Sequence, residues 1–169
     1  DIAMLESFDE DEIGSRMSMN FIEIKAGISI REAMRELINQ AAENDNISTL
    51  YVVDGSGVFA GAIDLKDLII ARENDPLSGI IRRSYPYVLA HEKVEDCIDR
   101  IAEYEEDSLP VLTEDGRIAG ILTAQDLVEL VEAAQWFVTR LNTNGRLLTP
   151  ELCRSLSEAS LDSVQVTLY

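Results

Sequence analysis

The sequence predicts an α/β fold of mixed helical and strand content, built from two copies of one β-α-β-β-α unit related by a pseudo-two-fold axis. The main observation is an internal repeat. GVFAGAIDLKDLII (57–70) aligns without a gap with GRIAGILTAQDLVE (116–129), at an offset of 59 residues. In both copies a short apolar strand runs directly into a helix, and mostly apolar strands lie between amphipathic helices. Such strands are typical of a sheet that is covered by helices.

The first unit begins with a predicted strand at 21–24, followed by a turn at Gly27 and a helix capped by Ser29. The apolar residues of this helix recur at helical spacing: Ile30, Met34, Leu37, Ile38 and Ala41. Strands are predicted at 49–53 and 58–63, and the Asp-Gly-Ser-Gly sequence between them is typical of a hairpin. A helix at 65–72 completes the unit.

The second unit repeats this order after a break at Asn74-Asp75-Pro76. We expect its elements to be a strand at 87–90, a helix at 94–104, strands at 109–112 and 118–122, and a helix at 124–134. The first unit carries five extra residues after its first helix, around 43–47.

These patterns divide the chain into four parts. Residues 1–13 form an acidic leader, expected to be the end of a preceding helical domain, so that the chain begins within a longer protein. The two units span 14–75 and 76–134. Residues 135–169 lie outside the repeat and are expected to extend the last helix as far as Leu141, and then to form one more short helix that begins at Thr149.

The charge of the chain restricts its partners. It has 14 basic and 32 acidic residues, a net charge of −18, and residues 1–134 carry all of this excess. Such a surface repels nucleic acid and anionic membranes and attracts metal cations or basic proteins. The alternative is that the charge only keeps the protein in solution.

Nothing in the sequence indicates an enzyme. His91 is the only histidine and has no evident nucleophilic partner, and no phosphate-binding loop or zinc-protease motif is present. Cys97 is expected in the core and Cys153 stands alone, so no disulfide framework is predicted. No apolar run approaches the roughly 18 residues of a membrane span.

The repeated units resemble a pair of cystathionine-β-synthase (CBS) domains over residues 14–134. Within that superfamily the chain is most similar to the cytosolic part of MgtE-type magnesium transporters. The motifs that carry this resemblance are SFDEDEIGSRMSMNFIEI (7–24), STLYVVDGSGVFAGAIDLKDLI (48–69) and YEEDSLPVLTEDGRIAGILTAQDLVEL (104–130). Residues 135–169 do not match the linking segment of that family.

The resemblance implies an adenine-nucleotide site, for ATP or AMP, in the cleft between the units. Thr123 and Asp126 match the Thr-x-x-Asp helix start that holds phosphate and ribose, and Tyr51 lies where an aromatic ring stacks on adenine. The first unit offers Lys66 and Asp67 but has Asp64 in place of the threonine, and its charge would repel a phosphate by about 1–4 kcal/mol at contact. The alternative is that Thr123, Asp67 and Asp126 only stabilise helix N-termini.

Clustered carboxylates predict a divalent-cation site. Glu103 and Glu105 crowd the end of one helix with Glu106 and Asp107, while Asp126, Glu129 and Glu132 recur every three residues along the last helix. Mg²⁺ would relieve their mutual repulsion, and it typically takes only one or two carboxylates. By resemblance, Glu105, Asp126 and Glu129 fall where acidic magnesium-sensing ligands are expected, and the Ala102 backbone carbonyl is expected as a further donor. The alternative is a solvated acidic face.

The resemblance therefore implies a regulatory module that senses Mg²⁺ and gates transport at the cytoplasmic face of the cell membrane. Its expected partners are divalent cations, a second copy bound through the CBS helices, and a transmembrane domain of the same polypeptide. Two alternatives remain: a nucleotide-sensing CBS module of another host protein, and a structural dimerisation unit.

Overall fold

The first unit is a three-stranded sheet in the order β1-β2-β3, formed by β1 (Ile22–Lys25), β2 (Thr49–Val53) and β3 (Phe59–Asp64). The computed structural model describes residues 8–102, 106–123, 125–126, 140–143, 148–159, 161 and 163–166. Strand β1 is parallel to β2, while β2 and β3 form the predicted antiparallel hairpin. Helix α1 (Ile30–Gln40) crosses between β1 and β2, and helix α2 (Leu65–Ile70) follows β3 directly. The β-α-β-β-α order of this unit is confirmed.

A capping box fixes the start of α1. The Glu32 amide donates to the Ser29 hydroxyl, and the Glu32 carboxylate accepts from the Ser29 amide at 2.8 Å. Each side chain thus satisfies a backbone group that the helix cannot pair internally.

The second unit has the same architecture, with the sheet order β4-β5-β6. Its strands are β4 (Val88–Leu89), β5 (Ser108–Leu112) and β6 (Ile118–Thr123), and helix α3 (Val94–Ala102) joins β4 to β5. Residues 125–126 are helical, as predicted, while the rest of the predicted helix at 124–134 lies outside the described residues. Both hairpins carry a register shift at the same place in the repeat, at Val52/Val53 and at Val111/Leu112.

The two units exchange the segments that precede their first strands. Ser18, ahead of β1, pairs with Ile121 of β6 in the second unit, and Arg82, ahead of β4, pairs with Ala62 of β3 in the first unit. Each contact is a reciprocal pair of backbone hydrogen bonds of 2.8–3.1 Å. Each sheet is therefore completed by chain that belongs to the other copy of the repeat.

Glycine makes this exchange possible at both sites. Gly61 has a φ of +144°, and a Cβ there would lie 2.5 Å from the Arg82 carbonyl oxygen. Gly120, its equivalent in the repeat, would place a Cβ 2.8 Å from the Ser18 carbonyl oxygen. The aligned glycines are thus explained by the close approach of a backbone segment.

Part of the predicted acidic leader is built into the second unit. A short 3₁₀ helix (Ile13–Arg16) begins at its last residue, Ile13, which is fully buried in the apolar core beneath β4, β5 and α3. The Ile13 and Gly14 amides donate to the carbonyls of Glu92 and Ala90 at 2.9 and 2.8 Å. The segment before the first unit is therefore anchored on the second.

The C-terminal region differs from its prediction. Strand β7 (Arg140–Thr143) lies where a helical extension was expected, so the predicted helix is wrong at residues 140–141; residues 135–139 lie outside the described part. Strand β7 pairs in parallel with β8 (Ser163–Val166) and lies against α3. The helix predicted from Thr149 is confirmed as α4 (Pro150–Glu158), and the Leu152 amide donates to the Thr149 hydroxyl at 3.1 Å.

The two cysteines lie in opposite environments. Cys97 is fully buried in α3, as expected, and its Sγ–H donates to the Lys93 carbonyl at 3.2 Å. Cys153 is exposed on α4. Within the described ranges, no helix has both the length and the apolar character needed to cross a membrane.

We expect Gly61→Ala to destabilise the chain by about 1–3 kcal/mol through backbone strain, with a further loss as Arg82 is displaced. Urea unfolding followed by circular dichroism measures the free energy of unfolding. Gly55→Ala is the matched control, because a Cβ at Gly55 meets nothing within 4 Å. Equal effects of the two substitutions would contradict the close-approach explanation.

Candidate functional site

An aromatic cluster joins the two units where their sheets face each other. Its buried members are Tyr51 and Ala62 of the first unit and Tyr85 and Ile121 associated with the second. The rings of Phe21 and Tyr85 both meet the Tyr51 ring edge-on, with centroids 6.1 Å apart. Phe21 and Tyr85 occupy equivalent places, each ahead of the first strand of its unit. The nucleotide is expected between the same two units.

Hydroxyl groups cross this interface in a buried network. Tyr51 Oη and Ser108 Oγ share a hydrogen bond of 2.6 Å, and the Tyr85 hydroxyl donates to the Ser108 carbonyl at 2.9 Å. Burial raises the pKa of Tyr51 and of Tyr85 well above the ordinary 10.0, while a hydrogen bond with Thr49 acts in the opposite direction on the pKa of Tyr85. Both phenols therefore stay neutral and serve as hydrogen-bonding groups.

The burial of Tyr51 bears on its expected role. The residue is 0% exposed, and its ring is surrounded by Phe21, Phe59 and Tyr85. In this arrangement it offers no free face to an adenine, and stacking would require these contacts to open. Its ligand role remains a prediction.

The start of α2 in the first unit lacks a side-chain capping hydrogen bond. Asp64 occupies the N-cap position without a side-chain capping hydrogen bond. Lys66 is exposed, while Asp67 lines a groove of about 320 Å³ together with Ile30 and Ile80. Asp67 therefore lies beside an accessible groove, and Lys66 precedes it on the same helical turn.

Arg82 is a charged residue that the sequence reading missed. Its guanidinium lies 3.7 Å from the Asp64 carboxylate of the first unit and 3.0 Å from the Glu106 carboxylate of the second. It also lies over the Tyr85 ring, 5.1 Å from the centroid. The only sequence signal for its position is the alignment of the two units. Ahead of the five extra residues the offset between the units is 64 instead of 59, and it aligns Arg82 with Ser18.

At the helix start that follows β6 in the second unit, the polar groups of Thr123 and Asp126 bond to each other. The Asp126 carboxylate accepts hydrogen bonds from the Thr123 amide and, at 2.7 Å, from the Thr123 hydroxyl. Ser29 and Glu32 make the same contacts at the start of α1. The geometry is that of a helix cap, and a ribose or phosphate would have to compete with it.

Comparison with known proteins places this geometry in a family. The family model described as the CBS domain matches residues 11–74 and 77–133, well over half of the chain. The chain belongs to the CBS domain family. The matched ranges are the two β-α-β-β-α units, so the repeat is a tandem CBS pair.

The relatives include magnesium transporters. The chain is 31% identical over 133 residues to the magnesium transporter MgtE of Thermus thermophilus, covering 79% of this chain and 30% of that protein. A solved structure of the soluble part of a magnesium transporter superposes with a TM-score of 0.73 at 28% identity, covering 79% of this chain and 52% of that one. The cytosolic domain of the Mg²⁺ channel MgtE in complex with ATP gives a TM-score of 0.70 at 30% identity, covering 76% and 52%. The aligned region thus spans under a third of the length of that relative.

Most of the expected metal ligands lie outside the described residues: Glu103, Glu105, Glu129 and Glu132. Asp126 is described and is bonded to Thr123. Among the residues that the structure describes, no group of three or more His, Cys, Asp or Glu side chains could hold a metal ion. The ligand set stays a prediction.

We expect Tyr51→Phe to lower the free energy of unfolding by about 1–3 kcal/mol, because it leaves the buried Ser108 hydroxyl without this partner. Chemical denaturation measures the change. Tyr87→Phe is the control, since Tyr87 is 49% exposed and surface changes stay within about 0.5 kcal/mol.

The double variant Tyr51→Phe with Ser108→Ala separates the hydrogen bond from the packing. Removing both partners costs less than the sum of the two single changes, because neither polar group is then left unsatisfied. Strict additivity would contradict the network.

Proposed function

We propose that this CBS pair is the cytosolic regulatory region of an MgtE-type magnesium transporter or channel, and that it senses intracellular Mg²⁺ and gates transport. The proposal is carried by the similarity to magnesium transporters across both units, with 31% identity over 133 residues. The full protein would carry its transmembrane domain in the same polypeptide, which puts the CBS pair at the cytoplasmic face of the membrane.

Electrostatics supplies the mechanism. The chain has a net charge of −18, and two carboxylates about 4 Å apart repel by about 1 kcal/mol in water and about 4 kcal/mol near a protein surface. At low Mg²⁺ this repulsion favours a splayed arrangement. At high Mg²⁺, ions bridge the acidic surfaces and favour a compact one. Several ions acting together, each binding the compact state more tightly, make the switch steep.

The proposed ligands are Glu103, Glu105, Asp126, Glu129 and Glu132. Carboxylate oxygens are the donors that Mg²⁺ prefers, and an ion held by one or two of them keeps most of its water. The CBS pair is proposed to act as a homodimer through its helices, and compaction of the dimer would close the attached pore.

A second function has a separate observation in its favour. The cytosolic domain of MgtE has been solved with ATP, and by resemblance Thr123 and Asp126 are the proposed phosphate and ribose contacts in this chain. Adenine-nucleotide sensing, for the same transporter or another host, is therefore the alternative, with Lys66 and Asp67 at the first helix start. A purely structural dimerisation unit would respond to neither ligand.

We expect millimolar Mg²⁺ to reduce the radius of gyration of the 169-residue chain relative to chelator, at constant ionic strength, because bound ions remove carboxylate repulsion. Small-angle X-ray scattering measures the change. The variant Glu105→Gln with Glu129→Gln should weaken the response.

The matched control is Glu36→Gln with Glu43→Gln, which removes the same charge from exposed positions of the first unit and should leave the response intact. An unchanged scattering profile would refute the sensor proposal. A shift in melting temperature with AMP or ATP, together with no magnesium response, would favour the nucleotide alternative instead.

A further inference from the structure

Arg82 stands between carboxylates of the two units. Its Nη2 contacts Glu106 Oε1 at 3.0 Å and its Nη1 lies 3.7 Å from Asp64 Oδ1. The Glu106 side chain is only 13% exposed, whereas Arg82 and Asp64 are about half exposed. We call these three residues the Arg82 junction. One cation thus faces two anions that come from different units.

The fold holds this cation in place. The Arg82 backbone pairs with Ala62 through two hydrogen bonds of 2.8 and 3.1 Å, and the absence of a side chain at Gly61 permits the approach. The guanidinium rests on the Tyr85 ring. The charges of Glu106, Arg82 and Asp64 all act on the pKa of Tyr85, after the larger effect of burial. Because the backbone and the ring position the side chain, less entropy is lost in forming the junction.

The repeat has no counterpart of this junction in its other half. At the offsets of 64 before the insertion and 59 after it, Arg82 aligns with Ser18, Asp64 with Thr123 and Glu106 with Ile47. All three counterparts are uncharged. The two halves of the CBS pair are therefore electrostatically different, although their backbones match.

We propose that Arg82 is a built-in counter-ion, which occupies the place that a divalent cation would take between Asp64 and Glu106. It makes this acidic pair insensitive to Mg²⁺ and confines the magnesium response to the ligands proposed above, which do not include Asp64 or Glu106. The inference rests on the proposed function in that it locates the same regulation. Its chemical core, one fixed cation in place of an exchangeable one, can be tested separately.

The test is the dependence of the melting temperature on Mg²⁺, followed by circular dichroism at constant ionic strength. Arg82→Met removes the cation that lies between Asp64 and Glu106, so this variant should gain a saturable rise of a few degrees with Mg²⁺ beyond the wild-type response. Arg82→Met with Glu106→Gln should lose that gain. Arg83→Met is the matched control, because it removes the same charge from the adjacent exposed residue and should respond as the wild type does.

The proposal is overturned if Arg82→Met and Arg83→Met respond alike, or if the added Glu106→Gln leaves the gain in place. Should Arg82→Met not fold, Asp64→Asn with Glu106→Gln decides in the presence of Arg82. This variant should keep the wild-type magnesium response, and a loss would show that the pair itself senses the ion. If the melting temperature of the wild type does not change with Mg²⁺, the proposed function is refuted. The additional rise in Arg82→Met tests the counter-ion proposal separately.

Discussion

The structure depends on the exchange of two segments between the units, namely the chain ahead of β1 and the chain ahead of β4. A three-stranded sheet with two short helices buries little apolar surface on its own, and its edge strand would be left unpaired. Ser18 on β6 and Arg82 on β3 cover these edges with chain from the opposite copy. Neither unit is complete without the other, so the aromatic interface around Tyr51 is part of one shared core.

Buried interactions stabilise this fold, whereas the charged side chains at the surface remain available to partners. The ion pairs Arg31–Glu73, Arg117–Asp115 and Arg154–Glu151 are all more than half exposed, and such pairs contribute about 0–1 kcal/mol each. Stability therefore comes from the apolar clusters and the backbone ladders. The acidic excess opposes compactness. The proposed magnesium response depends on this repulsion.

The repeat predicted the order and type of nearly every described element because its local signals agree with the packing. The capping box at Ser29, the hairpin glycines and the apolar strand-to-helix run all carry that information. What it did not predict depends on contacts between distant residues. The ion pairing of Arg82, the enclosure of Tyr51 and the anchoring of Ile13 in the second unit have no local signature. The strand at 140–143 was missed for the same reason, since its partner lies more than twenty residues away in β8. The carboxylates expected to bind magnesium were proposed from the sequence and still rest on it.

The contrast between the two thiols gives the molecule an internal reporter. Cys153 is exposed on α4, whereas Cys97 is fully buried in the core of the second unit. An alkylating reagent should therefore reach Cys97 only when α3 opens away from the second sheet. The rate at which Cys97 is modified thus follows local opening of the second CBS unit. Because the first CBS unit contains no cysteine, alkylation reports local opening of the second unit alone, and no cysteine has to be introduced.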